Sequence, residues 1–379
     1  MNQRITMISQ PVVRTRNTVS VSLRRHVLHQ FTWLALTCCM VLVSVSQLSA
    51  QITGGQAVFQ FMTISPTART TGLGGAQISV KDDDVAFAAN NPAALNPSMD
   101  GRLSFNHNFF LSDIQHGYVA YAQHLPKVGF TVQGALQYMG YGEIKQTDVF
   151  GNVLGSVKAS ETAFTLGAGR ALSERISLGL NLRFAVSTLD VYQASALAAD
   201  AGVMYADTAR RFSAGLVLRN YGSQLATYNG NREDMPFDLQ IGLSKRLKYL
   251  PFRFSVIMHH LHQWDIRYDD PNAQEDAVLL FGEGEGSNNG NPGLDNFFRH
   301  FIFNGEFLFG ETESFRLRLG YNHLLKRELS VGSYRSLAGF SAGLGIKISR
   351  FRIDVGYGSY HLAGGVLHFG VGTNLKEFF

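Results

Sequence analysis

Between residues 176 and 187 the chain alternates without a break. Ile176, Leu178, Leu180, Leu182, Phe184 and Val186 fall on one face, and Ser177, Gly179, Asn181, Arg183, Ala185 and Ser187 fall on the other. A strand sends successive side chains to opposite sides, so this is a strand with one greasy and one polar face. The same alternation sets Phe237, Leu239, Ile241 and Leu243 against Asp238, Gln240, Gly242 and Ser244. It sets Phe315, Leu317, Leu319 and Tyr321 against Arg316, Arg318, Gly320 and Asn322. Phe351, Ile353, Val355 and Tyr357 stand likewise against Arg352, Asp354, Gly356 and Gly358. From residue 101 onward about fourteen segments carry this signature, the mark of a barrel whose apolar side meets lipid and whose polar side lines the lumen.

Connection lengths give an independent test. Gaps after the even-numbered candidates are tight, as at Leu125-Pro126, Leu172-Ser173 and Ser349. Several gaps after the odd-numbered ones are long, near 140–159, 221–236, 263–297 and 324–336. Outer-membrane barrels have short periplasmic turns and long outer loops, so the first strand is expected to start on the periplasmic side. The expected fold is therefore all-β: a transmembrane outer-membrane β-barrel of about 14 antiparallel strands over residues 101–379. Tyr118, Tyr121, Tyr138, Tyr141, Tyr205, Tyr221 and Tyr249 lie near strand ends. They suit an interfacial aromatic belt or ordinary strand positions equally.

Two stretches precede the barrel. Residues 1–50 read as a cleaved secretion signal, with a basic part ending at Arg24, Arg25 and His26 and an apolar run from Phe31 to Val45. Small and polar residues then lead to Ser49 and Ala50, with translation starting at Met1 or Met7. An N-terminal anchor is the alternative, for which an apolar run of about 15 residues is short. Residues 51–100 are rich in glycine, at Gly54, Gly55, Gly72, Gly74 and Gly75, so the backbone is permissive. Asp82, Asp83 and Asp84 precede a helix-compatible stretch from Val85 to Ala89, and the run from Asn91 to Pro97 then breaks any regular element. This segment is expected to fold into the lumen as a plug, with Asn91, Pro92 and Ala93 as its motif.

Charge and cysteine content narrow the function classes. The formal charge of +4 misleads, because residues 1–50 hold five arginines and no acidic residue, which leaves the remainder near neutral. Nucleic-acid binding loses its electrostatic basis. Both cysteines, Cys38 and Cys39, lie inside the signal, so the mature chain can carry no disulfide, thiol nucleophile or thiolate metal site.

The candidate chemistry is thin. Gly339-Phe340-Ser341-Ala342-Gly343 matches a nucleophile elbow, but it sits inside an alternating strand, whereas that motif needs a sharp strand-to-helix turn. No catalytic constellation remains, and neither an enzyme nor a cofactor is expected. His259, His260 and His262 invite a metal reading, with His260 and His262 on one strand face within 251–262. Further ligands of suitable geometry are needed and none is identifiable, so polar lumen or rim histidines are expected and no metal site. Asp82-Asp83-Asp84 lacks the ligand spacing of a calcium loop, and helix capping is expected instead. The stretch from Trp264 to Asn296 carries a net charge of −7, with Asp269, Asp270, Glu275 and Asp276 at its heart. A loop this long is usually functional or unstructured, so these four are a candidate partner-contact surface or a solvated loop.

At residues 54–97 the chain resembles a known family. Gly54-Gly55-Gln56-Ala57-Val58-Phe59, Ser65-Pro66-Thr67-Ala68-Arg69, Gly72-Leu73-Gly74-Gly75, Asp82-Asp83-Asp84 and Asn91-Pro92-Ala93 resemble the start of the PorQ family. The likeness continues through Phe105-Asn106-His107, Tyr118 to His124, Arg219-Asn220-Tyr221-Gly222, Gly320-Tyr321-Asn322-His323 and Ser359 to Gly365, so it spans nearly the whole mature chain. That family belongs to the type IX secretion system. Wider relatives resemble FadL-type transporters, with fourteen strands and an N-terminal hatch bearing an Asn-Pro-Ala element.

The resemblance implies a subunit of the cell-surface attachment complex. Such a subunit would hold a PorZ-like surface protein alongside PorU- and PorV-like partners, and cargo would be joined to anionic lipopolysaccharide. The alternative is a FadL-like channel for hydrophobic small molecules. Arg183, Arg316, Arg318, Arg352 and Asp354 on the expected inner face argue mildly against a greasy conduit.

Overall fold

Fourteen antiparallel strands close into one barrel in the computed structural model, which describes residues 57–110, 113–267, 292–329, 337–361 and 364–378. The first seven strands are β1 (Arg102–Phe109), β2 (Gln115–Leu125), β3 (Phe130–Thr147), β4 (Val153–Ala171), β5 (Ile176–Leu189), β6 (Tyr192–Asp207) and β7 (Phe212–Ala226). The others are β8 (Asp238–Arg246), β9 (Phe252–Met258), β10 (Phe301–Phe309), β11 (Phe315–Asn322), β12 (Phe340–Ile348), β13 (Phe351–His361) and β14 (Gly364–Asn374). Each pairs with its neighbours in sequence, and β1 pairs with β14 from Arg102↔Asn374 to Phe109↔Leu367 to close the sheet. Closure leaves no open edge, which is what lets strands cross a bilayer with every backbone group satisfied.

The alternation read from the sequence sorts the two faces. Leu178, Leu180, Leu182 and Phe184 are exposed on the outside, whereas Ser177, Asn181, Arg183 and Ser187 are buried inside. On β11 the outward residues run Phe315, Leu317, Leu319, Tyr321, roughly 20 Å of strand at about 3.4 Å per residue. That is the scale of an outer-membrane apolar band bounded by aromatic girdles. At one edge Phe315 meets Phe309 at 5.8 Å between ring centroids, and at the other Tyr321 meets Phe340 at 4.8 Å. The barrel is a multi-pass outer-membrane protein.

The aromatic belt departs from the tyrosine pattern. Tyr118 is buried inside the barrel, and Tyr141 donates its hydroxyl to Glu161 on the inner wall. Tyr221 and Tyr249 stand exposed near strand ends, beside exposed phenylalanines such as Phe309, Phe315 and Phe340.

Three connections also differ from expectation. Most of the stretch 140–159 is strand: β3 and β4 continue pairing from Glu143↔Lys158 to Thr147↔Val153, leaving only residues 148–152 as the turn. Beyond Gln115↔Gly140 on one side and Ala159↔Leu189 on the other, this ribbon has no lateral ladder among the described residues. Both its faces are wet, so the greasy-polar alternation that marks a barrel strand is missing there. The β11–β12 connection holds a short helix, His323–Glu328, and the long β9–β10 connection ends in another, Pro292–Arg299.

Residues 1–50, expected to be a cleaved secretion signal, the first residues of the expected plug (51–56) and the acidic residues Asp269, Asp270, Glu275 and Asp276 lie outside the described residues.

Candidate functional site: the lumenal segment and its seat

Residues 57–100 lie against the inner face of the barrel and run its full height. At the outer end Val58 donates its amide to the Asp234 carbonyl at 3.0 Å, beside the β7–β8 connection. At the short-turn end Gly101 donates to Ala122 at 3.0 Å. Between these points the segment makes only short turns. A turn over Gln60–Thr63 comes first, followed by helix α1 (Ala68–Thr71), capped by Thr67 and Thr70 in a reciprocal box. A turn over Val85–Ala89 comes next, and then one over Pro92–Ala94.

Asn91, Pro92 and Ala93 occupy one buried turn. Asn91 Oδ1 accepts from the Ala93 amide at 3.0 Å, and its Nδ2 donates to the Ile78 carbonyl at 2.7 Å. One side chain thus caps its own turn and ties it to the preceding stretch. Pro92 sets the first position of the turn, where a missing N–H costs nothing.

The wall opposite is a lane of glycine. Gly169 pairs with Gly179, Gly179 with Gly202, and Gly215 with Gly242, on strands β4 to β8. A β-carbon on Gly179 would stand 2.2 Å from the Pro92 carbonyl carbon, and one on Gly202 would stand 2.0 Å from Asn91 Oδ1. The backbone of the segment approaches the backbone of the wall, which no larger residue permits.

Charge fixes the segment on the other side. Arg69 of α1 is almost wholly buried, and its guanidinium lies 4.3 Å over the Phe87 ring. It pairs with Asp82 at 2.7 Å, with Asp84 at 3.0 Å and with Glu306 of β10 at 3.2 Å. Glu306 also accepts from Arg318 at 2.8 Å and from Arg253. Arg318 reaches on to Asp354 at 2.6 Å, and Asp83 pairs with Arg352 at 3.1 Å and with Arg102. Burial works against the Asp83 carboxylate, but Arg352, helped by Arg102, outweighs it and holds its pKa below the ordinary range. Asp82 is lowered likewise: burial opposes ionisation, and Arg69, Arg253 and Arg316 overcome it.

The three aspartates therefore face arginines. Only Asp84 acts as the expected cap, its Oδ1 accepting from the Ala86 amide at 3.1 Å. Arg183, Arg316, Arg318, Arg352 and Asp354 all stand on the inner face, as their alternation indicates. Arg183 pairs with Asp200 at 2.7 Å and donates to the Ala89 carbonyl, holding the Val85–Ala89 turn. Sequence reasoning does not single out Glu306, Arg253 or Arg69 as partners. A signal for Glu306 is nonetheless present: it is an acidic residue on the polar side of the alternating run Phe301–Phe309.

An apolar cluster fills part of the outer half of the lumen. Phe59, Phe61 and Met62 fill a space walled by Ala163, Ala185, Ala194, Ala196 and Ala198. Phe59 adopts a left-handed backbone at φ 57° to enter it.

Two motifs resolve differently from one another. Ser341 lies within β12, and its Oγ accepts from the Gly74 amide at 2.9 Å, so it is a wall contact for the segment. The histidines do not share a strand face, because β9 ends at Met258 and His260 turns into the left-handed region at φ 55°. Asp238 joins His259 and His260 there, from the start of β8.

No protein-family model matches the sequence, and no curated protein matches it. Among solved structures, the chain is similar to the Pseudomonas putida toluene transporter TodX at a TM-score of 0.48 and 11% identity, over 82% of this chain and 96% of that one. It is similar to a Pseudomonas aeruginosa FadL homologue at a TM-score of 0.46 and 11% identity, over 82% and 98%. It is similar to the KdgM porin at a TM-score of 0.30 and 7% identity, over 72% and 98%. The fold itself rests on the fourteen ladders of this chain.

Proposed function

We propose that this barrel works at its outer rim, as a cell-surface anchoring subunit of a secretion attachment complex. The observation that carries the reading is the β3–β4 ribbon. It stands beyond the lateral ladders of the barrel and presents Val149, Phe150, Val153 and Leu154, exposed by 93, 88, 62 and 66%. Glu143, Lys145 and Lys158 around them are charged and exposed, which suits water better than lipid. An exposed apolar tip on a polar stalk marks a protein-binding surface. The lumenal segment supports the same reading, since a wall bonded along its height to an internal chain offers no ready conduit. The resemblance to the PorQ family names the partners: a PorZ-like surface protein, with PorU- and PorV-like subunits and lipopolysaccharide nearby.

A second reading is a FadL-like channel for hydrophobic small molecules. It is favoured by the alanine-walled space in the outer lumen, which Phe59, Phe61 and Met62 occupy as an apolar ligand would. The solved structures similar to this chain include a toluene transporter and a FadL homologue.

Mass spectrometry of a tagged copy taken gently from its native outer membrane decides between them. Stoichiometric recovery of a surface protein supports anchoring. A barrel recovered alone, with a fatty acid or aromatic hydrocarbon inside, would move the assignment to transport.

A further inference from the structure

We propose that Asp238, His259 and His260 bind a divalent transition-metal cation of the zinc class at the outer end of the barrel. Asp238 opens β8, and the two histidines come directly after β9, so the three belong to adjoining strands at the outer rim. One potential ligand atom from each lies within 4.8 Å of the others.

The geometry of the two rings is the stronger observation. His259 Nδ1 and His260 Nδ1 face each other at 2.5 Å. Two ring nitrogens so placed leave room for one proton at most, so at least one of them presents a lone pair in the cluster. His259 is buried, and its Nε2 has no hydrogen-bond partner among the described residues. Zinc-class ions take imidazole nitrogen at about 2.0–2.1 Å, so parting the two nitrogens to about 3.3 Å, their separation around a tetrahedral ion, would admit one.

The surroundings hold the donors in place. The left-handed backbone of His260 folds its ring back toward His259, a conformation uncommon for a residue other than glycine. Asp238 is oriented by the His260 amide on Oδ1 and by Gln240 Nε2 on Oδ2, both at 2.6 Å. The His259 amide donates to the His300 carbonyl at 2.9 Å, and His300 Nδ1 lies 2.7 Å from the His259 carbonyl. A ligating carboxylate oriented by hydrogen bonds, as Asp238 is, is typical of metal sites, while the His300 contacts fix the backbone that carries the His259 ring. With two imidazoles and one carboxylate from the chain, a tetrahedral ion keeps one position open for water or for a donor from a bound partner. The same chemistry would clip the end of β9 to β8 where the ladder between them has stopped at Ile241↔Met258.

The test uses the full barrel in detergent, purified without a histidine tag, stripped with chelator and titrated with zinc by calorimetry. One equivalent should bind. Affinity should fall at least tenfold in His259→Asn/His260→Asn and in Asp238→Asn, while His262→Asn should bind as wild type does. Heat-modified gel mobility reports whether each variant is folded. Should the variants not fold, copper(II) electron-spin-echo spectroscopy on the wild type counts the imidazole ligands. Two support the site. No binding, fewer than two imidazoles, or unchanged affinity in the folded double variant would overturn it.

Discussion

Arg69 and Glu306 stand 237 positions apart in the chain and meet in the lumen through paired contacts, Nε to Oε1 and Nη2 to Oε2, each at 3.2 Å. This is a fork-to-fork contact, which fixes orientation as well as distance. It also joins the segment to the wall at a position where neither charge can turn to water.

Replacing Glu306 with Gln should therefore cost more than a surface pair would. The change leaves Arg69, Arg253 and Arg318 crowded around a neutral amide. Breaking a buried pair from one side typically costs about 3–5 kcal/mol. Urea titration of the refolded barrel in lipid vesicles should show that loss. A shift below about 1 kcal/mol, as for an exposed pair, would mean that the contact does not hold the segment.

Gly179→Ala should loosen the turn that bears Asn91 and Pro92. The added carbon meets backbone at 2.2 Å, so the segment must retreat. Overpacking of this kind costs about 1–3 kcal/mol. Gly134→Ala is the matched control, because a β-carbon there meets nothing within 4 Å. Limited proteolysis should cut within residues 57–100 faster in the first variant and at the wild-type rate in the second. Equal rates would sink the close-approach argument.

Acid should release the segment only at low pH. The Asp82 and Asp83 carboxyls are lowered in the folded state. Their stabilisation is therefore complete above the ordinary carboxyl value of about 3.9 and is lost as pH falls through their depressed values. Hydrogen exchange over residues 67–91, corrected for intrinsic rate, should stay protected from about pH 7 to pH 4 and then fall. Protection lost between about pH 7 and pH 5 would point to other groups.

Val149→Asp with Phe150→Asp should leave the barrel folded and weaken capture of the surface partner at least tenfold. Both residues are exposed at the turn of the ribbon and support no ladder of the barrel wall. Pull-down from native membrane against the heat-modified mobility of the same variant separates the two effects. Undiminished capture would place the contact elsewhere on the rim.

The barrel is legible in the sequence because lipid and lumen impose opposite chemistry on alternate residues. Strands such as β5 and β11 carry that record plainly, and the inward arginines at 183, 316 and 318 emerge from it. The β3–β4 ribbon reads as loop because water lies on both its sides and leaves no alternation to see. The segment's path is less legible still. Which carboxylate Arg69 meets depends on how irregular turns stack against a curved wall, and short-range pattern does not encode that. Asp238 is visible as an inner-face residue, but its approach to His260 depends on one left-handed backbone position.

The order of chain and barrel has a consequence for biogenesis. The lumenal segment is bonded to the outer rim at Val58 and passes directly into β1 at the opposite end. The ladder between β1 and β14 is the seam at which the first and last strands meet. Once that seam has zipped, the described strands form a closed wall around the segment. Seating the segment on its glycine lane and zipping the last seam therefore involve the same strand, β1, so the two steps of assembly bear on each other.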